Sequence, residues 1–390
     1  MSDDSKIEWT DATWPITVGC TRTAPAGSQQ SGCGDASGGG CYAEQSVARV
    51  NRCQVGSGRP PPYADLVKLV KRGDRTVARW AGGAKFFPDR LSMPLAWRRP
   101  RRIFVSSQSD LFHESLTNEQ IAAVFGVMAA AGHHSFQVLT KRARRMREWF
   151  AWAGGIGNDD LRIVNDGRYD CTALNHLASK HGASEFGPAS WRRHCDDTCD
   201  VRRPWPLRNV WLGVSAENQA AADERIPDLL ATPAAVRWIS AEPLLGEVDV
   251  VGVAAREMAR AALAADDFRA GSLDWVVAGC ESGHGARPAE VDWFRSLRDQ
   301  CAAAGVAFFL KQAIGTPGVG VVAPSTAPHE VIKATSTVDR TRFTDAITPG
   351  PGSKRKAGGV IGLPYLDGVQ HAAMPGGAPD RRARAEGGAA

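Results

Sequence analysis

"NVWLGVSAEN", residues 209–218, is a continuous apolar run that stops abruptly at polar residues. A strand of this kind has no polar face to give to water, so it belongs in a sheet covered on both sides, as parallel sheets are. The same habit recurs in RIFVSSQSD (102–110), SFQVLTKR (135–142), VRWISAEP (236–243), DWVVAGCESG (274–283) and VAFFLKQ (306–312). A seventh strand is expected in TWPITVG, just before Cys20. Helix-like stretches lie between these runs. TNEQIAAVFGVMAAAGH (117–133) has a capping Thr with Gln three residues on, and DWFRSLRDQCAAAGV (292–306) runs from a capping Asp to a terminating Gly. Strand and helix in alternation predict an α/β fold, a full or partial parallel (β/α) barrel in preference to an open doubly wound sheet.

In such a barrel, function gathers at the C-terminal ends of the strands. Here those ends carry Asp110, Lys141, Arg142, Glu217, Asn218, Glu242, Glu281, Ser282, Lys311 and Gln312. Polar loops after apolar strands need no special explanation, but a charged or amide group at nearly every exit points to a ligand. Glu242 and Glu281 stand out, because a carboxylate at the end of an apolar strand is costly to bury without a partner.

The organisation expected is a barrel over residues 1–312, interrupted by an insertion at 152–205 that carries Cys171, Cys195 and Cys199. A Gly/Pro-rich extension follows over 313–375, and a disordered tail over 376–390. Hydrophobic content of 43% and charged content of 23% are globular values. The net charge of +5 over 390 residues is too slight by itself to name a partner. The start, MSDDSKIEWTD, is unlike a signal peptide, and no apolar run is long enough for a membrane span, so a cytoplasmic, non-membrane protein is expected. Nine cysteines in that setting serve metals or chemistry more readily than disulfides.

Three of them, Cys20, Cys33 and Cys41, lie in a loop of glycine, serine and alanine with no apolar periodicity. Two thiols could form a disulfide and four could close a zinc site. Three leave a metal with an open position, and pliable glycine backbone lets thiols converge. Zinc held by three cysteines and a histidine stays open as an alternative, in a nucleic-acid-binding or interaction module without catalysis. The first histidine is His113.

The run from Lys6 to Asp11, Thr13-Trp14, Gly19-Cys20 and Cys41-Tyr42-Ala43-Glu44 resembles the phage-associated three-cysteine protein family. The resemblance continues through SDLFHE (109–114), FQVLTKR (136–142), VWLGVSAENQ with ADERIP (210–227), SAEPLLG (240–246), ESGHGARP (281–288) and FFLKQ (308–312). That family is related to the radical S-adenosylmethionine enzymes. The resemblance therefore implies a barrel of the radical SAM type with a [4Fe-4S] cluster on Cys20, Cys33 and Cys41. S-adenosylmethionine would chelate the open iron, a separate electron donor would reduce the cluster, and a 5′-deoxyadenosyl radical would abstract hydrogen from a substrate. Twelve and then seven residues separate the three cysteines, wider than the tight spacing usual in such enzymes, so Cys53 is an alternative middle ligand.

For the cofactor, Asp110 and Glu114 in SQSDLFHE are candidates, together with Glu217, Asn218, Glu242, Glu281 and Ser282 at the later strand ends. Lys141, Arg142 and Lys311 are candidates for an anionic substrate, and a nucleobase or modified nucleotide in nucleic acid is the leading expectation.

Overall fold

The computed structural model describes residues 5, 7–23, 33, 41–72, 74–155, 163–164, 168–169, 203–204, 206–263, 272–281, 286–287, 289–314, 347–355, 360–367 and 369–375. The chain forms two compact units. One comprises Met1–Thr23, Gly40–Val214 and Ala231–Ala235, and the other Ala24–Gly39, Ser215–Leu230 and Val236–Ala390.

The first unit is built on β1 (Ala12–Trp14), β2 (Thr17–Val18), α1 (Tyr42–Gly56), β3 (Val67–Arg72), β4 (Arg75–Trp80), β5 (Lys85–Phe86) and α2 (Met93–Ala96). It continues with β6 (Arg102–Val105), α3 (Asn118–Ala130), β7 (Ser135–Thr140), α4 (Ala143–Gly155), β8 (Ile163–Val164), β9 (Arg168–Tyr169), β10 (Arg203–Pro204) and β11 (Val210–Ser215). Strands β1, β6, β7 and β11 are parallel neighbours in that order, with Trp14 opposite Val105, Val105 opposite Val138 and Val138 opposite Leu212. All six residues of β11 are buried, as its unbroken apolar run requires.

Helix α3 buries every residue from Ile121 to Ala130, so it packs on all sides and its ends depend on capping. Thr117 accepts from the backbone of Gln120 and the Gln120 side chain accepts from the backbone of Thr117, the capping box expected from sequence. The strand expected in TWPITVG is split. β1 runs parallel to β6, whereas β2 pairs antiparallel with β5. Pro15 lies between them, and its missing N–H ends the first ladder. Of the expected insertion, the paired strands β8, β9 and β10 are described, while Cys171, Cys195 and Cys199 lie outside the described residues.

The second unit contains α5 (Gln219–Leu230), β12 (Val236–Ala241), α6 (Val250–Leu263), β13 (Trp275–Gly279), α7 (Val291–Ala304), β14 (Ala307–Ile314), β15 (Ile347–Arg355), β16 (Val360–Leu366) and β17 (Val369–Gln370). Strands β12, β13 and β14 are parallel. β14 is flanked on its far side by antiparallel β16, and Leu310 N donates to His371 O (2.8 Å) while Ala373 N donates to Phe308 O (3.2 Å). The described parts of the C-terminal extension are thus built into the sheet edge. The tail at 376–390 lies outside the described residues. Helix α7 ends at Gly305 with φ of 67°, as expected, but its N-cap is Glu290. Asp292 sits instead in the first turn and pairs with Arg295 (2.8 Å).

Four parallel strands in the first unit and three in the second, alternating with helices, establish the α/β class and are consistent with a partial parallel barrel. Among the described residues no helix is long and apolar enough to cross a membrane.

His134, 1% exposed, links β7 to the segment before β6. Its Nδ1 accepts from Arg101 N (3.2 Å), which leaves the proton on Nε2 to donate to Pro94 O (3.0 Å). Burial, and then the neighbouring His133, lower its pKa from 6.5 to about 4. The unfolded chain therefore takes up this proton first as pH falls. The stability it carries is present above about pH 6.5 and is lost as pH drops toward 4, on the order of 3 kcal/mol in all. Denaturant unfolding should show a smaller acid loss for His134→Gln than for the parent, and equal losses would contradict this role.

Candidate functional site

Cys20 leaves β2 through Gly19, whose φ of +97° suits glycine and where a Cβ would stand 2.7 Å from Gly83 O. The SQSD segment after β6 holds this exit. Gly19 N donates to Gln108 O (3.2 Å), and Ser109 Oγ donates to Gly19 O (2.6 Å). Cys20 then packs against a core of Val18, Val47, Tyr63, Leu66 and Trp80, so α1 supplies part of its floor.

Arg142, at the exit of β7, is 7% exposed. Its Nη1 reaches Asp110 Oδ2 (3.1 Å) and approaches Cys20 Sγ (3.6 Å), and its Nη2 donates to Thr21 Oγ1 (2.7 Å). Its Nε donates to both Glu114 oxygens, at 2.8 and 2.9 Å. Burial alone would lower this guanidinium, but Asp110, Cys20 and Glu114 more than offset it and hold it above its ordinary value. Burial would raise Glu114, yet its backbone hydrogen bond and Arg142 keep it below the usual carboxylate range.

Asp110 is fully engaged. Oδ1 accepts from Phe112 N (2.9 Å) and Thr140 Oγ1 (2.7 Å), and Oδ2 accepts from Lys141 N (3.0 Å) as well as Arg142. His113 completes the cluster. Ser115 N donates to its Nδ1 (3.1 Å), so Nε2 holds the proton and donates to Thr21 Oγ1 (3.1 Å). Burial and then Arg142 pull His113 below the ordinary imidazole value, against Glu114 and Asp110. The imidazole is therefore neutral near pH 7, and Thr21 accepts two bonds beside Cys20.

On the other side of the cysteine loop, Cys41 is the N-cap of α1 and makes no capping hydrogen bond with its side chain. A helix N-terminus favours a thiolate. Three residues on, Glu44 is wholly buried and accepts from Arg22 twice (3.0 and 2.7 Å) and from Trp80 N (3.1 Å), with Arg79 Nη1 at 3.5 Å. The Arg22–Glu44 pair thus ties residue 22 to residue 44, with Cys33 and Cys41 between them in sequence and Cys20 just before. Cys33 is buried, but residues 24–32 and 34–40 around it lie outside the described residues. Among the described residues no three His, Cys, Asp or Glu side chains are grouped to hold a metal. The surroundings of Cys20 and Cys41 nevertheless suit thiolate ligands, with a guanidinium beside one and a helix N-terminus behind the other.

The second unit gathers a separate set. Glu242, after β12, pairs with Lys311 of β14 (2.9 Å), their side chains 11% and 19% exposed. Gly279 makes this possible, since a Cβ there would collide with Glu242 Oε1. Glu281 is held by Arg287 through both oxygens (2.8 and 2.9 Å) and by Arg287 N (2.8 Å). Glu217 is fully buried against Arg225 (2.9 Å), and Asn218 caps α5 by accepting from Ala221 N (3.0 Å). Gln312 donates to Cys280 O (2.7 Å). Lys141 contributes its backbone N–H to Asp110, and Ser282 lies outside the described residues.

Sequence reasoning did not single out Thr21, Arg22, Arg225, Arg287 or Gly279; Thr21 and Arg22 act through partners 121 and 22 residues away, Arg225 and Arg287 through ones 8 and 6 away. Glu44 carried a usable signal, because it shares the helical face of Val47 and Ala48, at i+3 and i+4. Since Arg142 and Asp110 are both buried, Arg142→Met leaves an uncompensated carboxylate. It should cost about 3–5 kcal/mol in urea unfolding, and a loss under about 1 kcal/mol would contradict the clamp.

Searches of curated proteins and of solved structures gave no significant match. One family model, described as a protein of unknown function (DUF5131), matches residues 4–374. That match takes in nearly the whole chain, and the protein belongs to this family.

Proposed function

We propose that this chain is an iron–sulfur enzyme of the radical SAM type, with a [4Fe-4S] cluster held by Cys20, Cys33 and Cys41 and with S-adenosylmethionine as cofactor. The observation that carries this reading is the treatment of the two ends of the cysteine loop, residues 20–23 and 41–44, in the first unit. They are joined by the Arg22–Glu44 pair, whose carboxylate is wholly buried, and Cys20 stands against the Arg142 guanidinium. A loop that served only as a connection would not require buried charge at both ends. The bound cluster and cofactor would supply radical chemistry begun by one electron from a separate donor protein.

The chain's own groups would hold and orient. Arg142 offers positive charge to the Cys20 sulfur, the bonded side chains of Thr21 and His113 stand beside it, and Cys41 would ligate from the N-cap of α1. Separately, Glu242 and Lys311 of the second unit carry the charges that an amino acid's ammonium and carboxylate pair with. The substrate in this reading is a nucleobase or nucleotide in nucleic acid.

Anaerobic purification tests the reading. The protein should be brown, absorb near ~400 nm and contain iron and sulfide. Cys20→Ala and Cys41→Ala should lose the iron while remaining folded, with Cys33→Ala and Cys53→Ala beside them to fix the middle ligand. A colourless protein with stoichiometric zinc would overturn the proposal. For the cofactor, Glu242→Gln and Gly279→Ala should each weaken S-adenosylmethionine binding roughly tenfold by calorimetry with iron retained. Unchanged affinity in both would remove Glu242 from the site.

A further inference from the structure

Residues 41–80, which form α1 and the β3–β4 hairpin, contain eight Lys or Arg and three Asp or Glu, an excess equal to the +5 of the entire chain. The three acids do little to balance it. Glu44 is buried against Arg22 and Arg79, Asp65 pairs with Lys85, and Asp74 lies in the hairpin turn. Arg49, Arg52, Arg59, Lys68 and Lys71 are all exposed, and none has an acidic partner among the described residues. The hairpin register also sets Lys68 opposite Arg79. Like charges directly opposed across strands are destabilising, and here Glu44 offsets Arg79 but not Lys68.

The helix is equally one-sided. Glu44, Val47 and Ala48 face inward, and Tyr42, Arg49 and Arg52 recur at helical spacing on the outer face. Tyr42 is 67% exposed and adjoins Cys41. Arg49 follows about 10 Å further along the axis. An exposed aromatic followed by cations along one face fits a single strand of nucleic acid, with a base stacked on the ring and phosphates on the arginines. A membrane surface fits less well. The exposed large apolar side chains here are Tyr42 and Val55, at opposite ends of α1 about 20 Å apart, and Leu69 on β3, fewer than the continuous apolar face of a membrane-surface helix.

We propose that the outer face of α1 and the β3–β4 hairpin form a binding surface for single-stranded nucleic acid, with Tyr42 as the base-stacking residue. This deepens the functional reading above, on which it rests only for the reason a strand is brought beside Cys41.

The test is fluorescence anisotropy of the full-length protein with labelled single-stranded DNA and RNA oligonucleotides over a salt series, run with and without bound iron. Arg49→Ala/Arg52→Ala should reduce the slope of log K against log salt by about 1.4, from about 0.7 per lost phosphate contact. Tyr42→Ala should weaken binding roughly tenfold at unchanged slope, and Tyr42→Phe should restore it. Iron content and unfolding midpoint should match the parent in all three, so loss of the cluster reading and loss of the surface are told apart. No binding of either oligonucleotide at low salt, an unchanged slope in the double variant, or tighter association with phosphatidylserine vesicles than with oligonucleotide would overturn the proposal.

Discussion

A guanidinium removed from water must be met by acceptors on nearly every side, and Arg142 meets that demand with groups from two remote segments. Its partners are Cys20 and Thr21 from the cysteine loop, and Asp110 and Glu114 from the segment after β6. None of these contacts is local: Arg142 is 122 residues from Cys20 and 32 from Asp110. The backbone around Arg142 is fixed in turn, because Asp110 also accepts from Lys141 N and Thr140 Oγ1. Losing one partner strands the other charges in a low-dielectric interior, so the arrangement tolerates little drift. The rigidity that results is concentrated where Cys20 leaves its strand.

Glu44 repeats the device on the other side of the same loop, with Arg22, Arg79 and Trp80 N around a carboxylate that has no contact with solvent. Buried ion pairs add little net stability compared with apolar packing, but they specify one geometry. The second unit uses the same economy at Glu217–Arg225, whereas its Glu242–Lys311 pair keeps some exposure. The Glu281–Arg287 pair is exposed to a similar degree, at 15% and 12%. A preorganised first layer supported by a rigid second layer is what a metal or cofactor site needs.

The strands were readable from sequence because continuous apolar runs with polar exits have one economical home, a covered parallel sheet. All six runs became parallel strands, and the Thr117–Gln120 box formed as its spacing implied. Local rules failed where a competing local rule intervened. Pro15 divided the first strand, and Glu290 rather than Asp292 took the cap of α7. Side-chain roles were harder to see. A carboxylate at a strand end reads the same whether it awaits a ligand or is already satisfied. Asp110, Glu217 and Asn218 are engaged within the protein, Asp110 by Arg142 32 residues away, Glu217 by Arg225 8 residues on and Asn218 by the N–H of Ala221.

The central claim is that the pinned loop presents a cluster with one open iron. Electron paramagnetic resonance of the anaerobically reduced protein, recorded with and without S-adenosylmethionine, addresses that iron directly. The account predicts a reduced-cluster signal whose shape changes when the cofactor is added, and whose loss follows Cys20→Ala. A protein with no iron signal, or a cluster signal indifferent to S-adenosylmethionine, would contradict it.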